Sequence, residues 1–214
     1  MAAAAVVIAC GALARELAAL RAAHRLEGLA LHCLPADLHN RPERIPGAVA
    51  AAIDAARQRH GAGVPVFVAY GDCGTAGALD EVLERAGAER LAGPHCYAAY
   101  AGEDRFARMC EDEPGTFFLT DFLARHFERL VVRGLGLDRH PELRDAYFGN
   151  YRRVVWLFQD ADPEARARLA PLARAAAARL GLAFEERHTG AGELGASLLR
   201  FVRREIPREA PCPA

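Results

Sequence analysis

The amino-acid sequence predicts an α/β protein with a mainly parallel sheet flanked by helices, as one domain over residues 1–214. Three observations carry this reading. Apolar, strand-like runs alternate with helical periods along the whole chain, the signature of parallel strands joined by crossover helices. No run reaches the roughly 18 consecutive apolar residues that a membrane span requires. A strand–Cys-Gly–helix–strand–His-Cys unit occurs twice in the N-terminal half, over about 5–36 and 66–99.

Taken in order, the strand candidates are Ala5–Ala9, Gly28–Leu31, Val64–Tyr70, Thr116–Leu119, Val154–Phe158 and Leu182–Glu185. Each is a short apolar run, as expected of strands covered on both faces. Helical stretches fall near Ala12–Ala23, Ala48–Arg59, Ala76–Arg85, Asp121–Arg133, Pro163–Leu180 and Glu193–Arg203. Thr120-Asp121 reads as an N-cap with an acid in the first turn, and Pro163 suits the first turn of its helix. The segments Pro35–Pro46, Gly93–Asp104, Gly134–Tyr151 and His188–Gly192 read as irregular. The Pro-rich tail, 207–214, reads as flexible.

Composition narrows the chemistry. The net charge is -1 and no like-charge run is long, so nothing marks a surface for nucleic acid or anionic lipid. All 27 basic residues are arginine. Without lysine there is no Schiff base, no lysine-anchored pyridoxal cofactor and no Walker A loop. Met1–Ala9 is apolar but short and lacks a basic lead, so it reads as a first strand rather than a signal peptide. These features imply a cytoplasmic protein, and in a reducing compartment its six cysteines point to metal binding or catalysis rather than disulfides.

The repeat says where that chemistry sits. Cys10-Gly11 is followed by His32-Cys33, and Cys73-Gly74 by His95-Cys96, with identical spacing between the paired cysteines. Leu20 and Ala23 of the first copy match Leu83 and Ala86 of the second. Cys10 and Cys73 each fall where a strand ends and a helix begins, the edge at which parallel sheets bind ligands. A cysteine there feels the helix N-terminus, which stabilises its thiolate. The following glycine allows a sharp turn and a close backbone approach. Gly71, Gly74 and Thr75, in the second turn, could line an anion-binding nest, and Gly11 and Asn150 are further cofactor-binding candidates. His39, in the Pro-rich loop, and His188, just after the last strand, are candidate bases or ligands. Adjacent strand residues point to opposite faces, so a regular strand would bring only one member of each His-Cys pair to a shared site. Cys33 and Cys96 read equally well as small buried hydrophobes. His126 and Cys110 read as surface or packing residues of helices, and Cys212 lies in the tail.

Several segments together resemble the bacterial and archaeal family called domain of unknown function 1638. They are Ile8-Ala9-Cys10-Gly11, Leu31-His32-Cys33, Leu38-His39-Asn40-Arg41-Pro42-Glu43, Tyr70-Gly71-Asp72-Cys73-Gly74, Gly93-Pro94-His95-Cys96-Tyr97, Leu119-Thr120-Asp121-Phe122 and Tyr147-Phe148-Gly149-Asn150-Tyr151. The resemblance covers nearly the whole chain. It implies a cytoplasmic α/β protein, and a context of corrinoid-dependent methyl transfer in one-carbon or methylamine metabolism.

Three functions are consistent with these residues. The first is a metal-binding enzyme or cofactor-handling protein. Its ligands would be Cys10, Cys33, Cys73, His95 and Cys96, and its metal zinc or an iron–sulfur cluster, on ligand softness. Its partner would be a small molecule or a cobalamin-type cofactor. No Cys-x-x-Cys or His-Glu-x-x-His motif is present, so such a site would have to be assembled from distant segments. The second is a metal-free enzyme using Cys10 and Cys73 in the layout of cofactor-independent amino-acid racemases, one thiolate removing a proton and the other thiol donating one. Those enzymes carry Asn and Thr after the cysteine, whereas this chain has Cys10-Gly11-Ala12 and Cys73-Gly74-Thr75. The third is a non-catalytic subunit of a methyl-transfer assembly.

Overall fold

The structure is a computed structural model that describes residues 2–159, 162–190 and 192–206. Cys212 and the proposed flexible tail lie outside the described residues. The chain forms two compact units, Met1–Cys96 with Leu194–Ala214, and Tyr97–Glu193. Each is a parallel sheet with helices.

In the first unit the elements run β1 (Ala5–Cys10), α1 (Ala14–Ala23), β2 (Leu29–Leu34), α2 (Ile45–His60), β3 (Val66–Ala69), α3 (Ala78–Ala86) and β4 (Glu89–Arg90). The sheet order is β2-β1-β3-β4, all parallel. β1 is hydrogen-bonded on both edges and buried along its whole length, which is why its sequence is an uninterrupted apolar run. The register pairs Ala9 with Cys33 on one side and with Ala69 on the other, and Cys10 with Leu34. From β1 the chain steps outward to β2, returns through α2, and enters β3 on the opposite side of β1. From β3 it steps outward again to β4. The two central strands therefore send their outgoing connections in opposite directions, and their carboxyl ends form the switch point where open parallel sheets hold ligands.

The second unit contains α4 (Cys96–Ala101), which begins at the last residue of the first, then α5 (Glu103–Asp112), β5 (Thr116–Thr120), α6 (Asp121–Phe127), α7 (Leu143–Phe148), β6 (Arg153–Phe158), α8 (Pro163–Leu180) and β7 (Ala183–His188). α9 (Gly192–Glu205) begins here and returns the chain to the first unit. The sheet order is β5-β6-β7, again parallel. Alternation along β6 divides the core: Val154 and Trp156 pack with Leu119, Phe127, Leu169 and Ala173, while Val155 and Leu157 pack with Phe118, Phe106 and Ala98.

The expected caps are present. The Thr120 hydroxyl accepts from the Leu123 N–H at 3.2 Å. Asp162 caps α8 by accepting from the Glu164 and Ala165 N–H groups at 3.0 and 3.3 Å, with Pro163 in the first turn. Three differences from the sequence expectations bear on the site. β2 runs on to Leu34, so His32 and Cys33 lie inside a strand. α3 begins at Ala78 rather than Ala76, because Ala76 and Gly77 are left-handed, with φ of 52° and 86°. Segments expected to be irregular contain α4, α7 and the start of α5, and Met109 and Cys110 of α5 pack against the Phe106–Phe118 cluster.

Candidate functional site: a thiolate at the switch point

The site is built on the turn between β3 and α3, Tyr70-Gly71-Asp72-Cys73-Gly74-Thr75-Ala76-Gly77. Four of its residues have positive φ: Cys73 at 51°, Gly74 at 83°, Ala76 at 52° and Gly77 at 86°. Two of these carry side chains, which disfavour that region. The Asp72 carboxylate offsets the strain. One oxygen accepts from the Gly74 and Ala76 N–H groups at 3.1 and 3.3 Å. The other accepts from the Gly77 N–H and the Thr75 hydroxyl, both at 3.0 Å. The Gly77 N–H contributes most to holding the Asp72 carboxyl below its usual pKa. The nest expected around Gly74 and Thr75 is thus filled by the chain's own carboxylate.

A second segment folds back onto this turn. Leu91 N–H donates to the Val68 carbonyl at 3.1 Å and extends the sheet by one bond. Then Asp72 N–H donates to the Gly93 carbonyl at 3.0 Å, and Cys73 N–H to the Pro94 carbonyl at 2.7 Å. Gly71 makes this approach possible: a Cβ there would lie 3.0 Å from the Gly93 oxygen and from His95 Cα. His95 and Cys96 are thereby delivered together to the Cys73 side chain.

Cys73 is consequently a stabilised thiolate, its pKa lowered to about 4. The largest cause is the Cys96 thiol, which donates to the Cys73 sulfur; His95 and the N–H groups of Cys96 and Gly71 add to it, and burial opposes them. Cys96 is held well above its ordinary pKa, because ionisation would lose the bond it donates to Cys73 and would put a second charge in a buried place. Cys10, buried at the end of β1, is raised to about 11, chiefly by burial and further by the Cys73 charge. The Tyr70 hydroxyl lies beside Cys10, is 2% exposed as a residue, and has its pKa raised by burial first and then by Cys10. The cluster therefore holds one anion, Cys73, between two thiols that keep their protons.

His39 joins this end of the sheet. Its imidazole pKa is lowered by desolvation, with the Cys73 charge opposing and His95 reinforcing the shift. Pro42, in the same loop, sits 3.5 Å from where a Cβ on Gly74 would be. Cys33 lies on the exposed surface of its strand, where partial desolvation still raises its thiol pKa, and it adds only weakly to the rise at Cys10. Gly11 serves the turn after β1: a Cβ there would lie 2.9 Å from the Leu34 oxygen.

The other expected residues belong to the second unit. His188 ends β7, where its ring lies 4.7 Å from the Phe158 ring and its carbonyl accepts from Arg105 at 3.3 Å. Asn150 is exposed, and its carbonyl packs against Gly115. The sequence reading assigned no role to Tyr70 or Asp72. An Asp followed by glycines two and five residues on was the available signal for Asp72, since a short carboxylate can cap such a turn; nothing local distinguished Tyr70. The thiols and imidazole are soft or borderline donors, right in kind for zinc or iron. Among the described residues, though, no group of three or more His, Cys, Asp or Glu is arranged to hold a metal ion. Nor is any described helix long and apolar enough to cross a membrane.

Fold and site together define a parallel α/β protein with a preorganised cysteine thiolate at the switch point of its first sheet. The chain belongs to the family of proteins of unknown function called DUF1638, whose sequence profile matches residues 33–198. No curated protein and no solved structure matches it.

Proposed function

We propose that the protein is an enzyme that moves a proton on a small carbon acid, in the manner of a racemase or isomerase, with Cys73 as the base and Cys10 as the acid. One observation carries this reading. Two cysteines at adjacent strand ends are driven to opposite protonation states, Cys73 to a pKa of about 4 and Cys10 to about 11. A pair of groups whose environments push their pKa values apart is the arrangement that acid–base catalysis needs. Cys73 removes a proton from the substrate carbon and becomes a thiol; Cys10 gives its proton to the same carbon and becomes a thiolate. Tyr70, beside Cys10, is placed to donate to that developing thiolate. The described cysteines are all free, which suits a reducing cytoplasm, where we place the protein.

Two measurements on the reduced protein test this. The first is alkylation by iodoacetamide as a function of pH, read by peptide mass spectrometry. Cys73 should react down to the region of pH 4 to 5, and Cys10 only in strong alkali. A Cys73 midpoint near that of a free thiol, about 8.5, would end the proposal. The second is deuterium uptake from D2O into a panel of amino and hydroxy acids, expected for the wild type and absent in folded Cys73→Ser and Cys10→Ser. Metal analysis after anaerobic purification is the companion control. A full equivalent of zinc, iron or cobalt would turn the sulfurs into ligands and favour the expected place beside corrinoid methyl-transfer proteins.

A further inference from the structure

The Cys96 thiol has no step in that reaction. It is buried, and both its side chain and its backbone N–H are hydrogen-bonded to the Cys73 sulfur. Its position is built with care: the Cys73 N–H bond to Pro94 at 2.7 Å and the Asp72 N–H bond to Gly93 at 3.0 Å lock the two segments side by side, and Gly71 has no Cβ to part them. Cys10 interacts with Cys73 only as a charge neighbour, whereas Cys96 is hydrogen-bonded to it. A thiolate with a second sulfur already in contact is the layout of a reactive cysteine poised next to a resolving one.

We propose that Cys73 is a modification site for hydroperoxides, and that Cys96 resolves it by forming a reversible Cys73–Cys96 disulfide. The Cys73 thiolate attacks the distal oxygen of the peroxide. An S–O bond forms, the O–O bond breaks, and the leaving oxygen takes a proton from water. Cys73 is oxidised by two electrons to the sulfenic acid, and the peroxide is reduced to an alcohol, or to water for hydrogen peroxide. Cys96 then loses its proton and attacks the Cys73 sulfur. The S–S bond forms, the S–O bond breaks, and the departing hydroxide leaves as water with that proton. In sum, one thiolate, one thiol and one hydroperoxide give one disulfide, one alcohol and one hydroxide ion, which the proton that Cys73 had released to solvent neutralises to water. The bridge consumes the base of the proposed reaction, so oxidation turns the site off until an external thiol reduces it.

The inference rests on the same thiolate as the proposed function, and its test separates the two. The full-length reduced protein is treated with hydrogen peroxide, blocked with N-ethylmaleimide and mapped without reduction. The expected product is a peptide pair linking Cys73 to Cys96, with Cys73 alkylation lost and then restored by dithiothreitol. In Cys96→Ser, and in Cys96→Ala should the serine variant fold poorly, Cys73 should instead be trapped as a dimedone adduct of the sulfenic acid. A bridge from Cys73 to Cys10 or Cys33 would overturn the proposal. So would Cys73 sulfinic acid alongside an alkylatable Cys96, or a Cys73 that alkylates at acid pH yet resists peroxide. A Cys73 that neither alkylates at acid pH nor oxidises would overturn the proposed function as well.

Discussion

Cys73 adopts a backbone conformation that a side chain resists, and the neighbouring Asp72 holds it there by accepting from four donors of the same turn. Strain of this kind, of order 1–3 kcal/mol per residue, persists only where surrounding bonds overdetermine it. Asp72 thus acts as a positioning residue, and its variants discriminate. Asp72→Ala frees the turn, Cys73 loses its alignment with Cys96 and His95, and its alkylation midpoint should climb from about 4 toward an ordinary thiol. A carboxylate acting only through its charge predicts the reverse, because removing a negative neighbour favours the thiolate. Asp72→Asn keeps one acceptor oxygen for two of the four donors and turns its NH2 toward the other two, so its midpoint should fall between those of wild type and Asp72→Ala. The pH profile of iodoacetamide labelling in the three proteins decides between them.

At the scale of elements, the two copies of the repeat begin alike and end differently. β1 and β3 both deliver a cysteine at or just past the strand end. β2 then continues for six residues and carries His32 and Cys33 out on exposed strand surface, while β4 stops after two and lets His95 and Cys96 fold back onto Cys73. The close approach hinges on Gly71. Gly71→Ala places a methyl 3.0 Å from backbone atoms of Gly93 and His95. It should cost about 1–3 kcal/mol by overpacking, lower the melting temperature and raise the Cys73 pKa together. In the second unit a different device ties β5 to β6. The buried Asp121 carboxylate accepts from the Trp156 indole N–H at 2.9 Å and from the Gln159 N–H at 3.1 Å, and the Asp121 N–H in turn donates to the Gln159 side-chain oxygen at 3.2 Å. Asp121→Ala leaves these donors buried without acceptors, at about 1–3 kcal/mol. It should lower the melting temperature and leave Cys73 labelling unchanged.

At the scale of the whole molecule, the two switch-point cysteines make stability depend on pH in opposite senses. Cys73 has a lowered pKa in the folded state. The stability it contributes is complete above the unfolded thiol value, near 8.5, and is lost as pH falls through about 4. Cys10 has a raised pKa. Its contribution is complete below the unfolded value and is lost as pH rises through about 11. The difference in unfolding free energy between wild type and Cys73→Ser should therefore grow steadily from pH 4 to pH 8 in urea titrations. For Cys10→Ser the difference should stay flat over that range.

The sequence by itself determined the class of fold and the two strand ends that matter. Fully covered parallel strands must be apolar on both faces, so Ala5–Ala9 and Val154–Phe158 stand out, and a glycine after a strand-end cysteine is a local requirement of the turn. Caps such as Thr120 are legible for the same reason: their partners lie within a few residues. Tertiary structure alone decided which neighbours those cysteines meet. His32-Cys33 and His95-Cys96 are the same dipeptide at the same offset, yet strand length separates them, because a regular strand fixes side-chain direction and a short one releases it. The thiolate at Cys73 follows from that release. Its charge is stabilised by a thiol, an imidazole and an amide brought from beyond β4, with burial setting the opposite state at Cys10. Such effects act through space over a few ångströms, and no spacing along a chain records them.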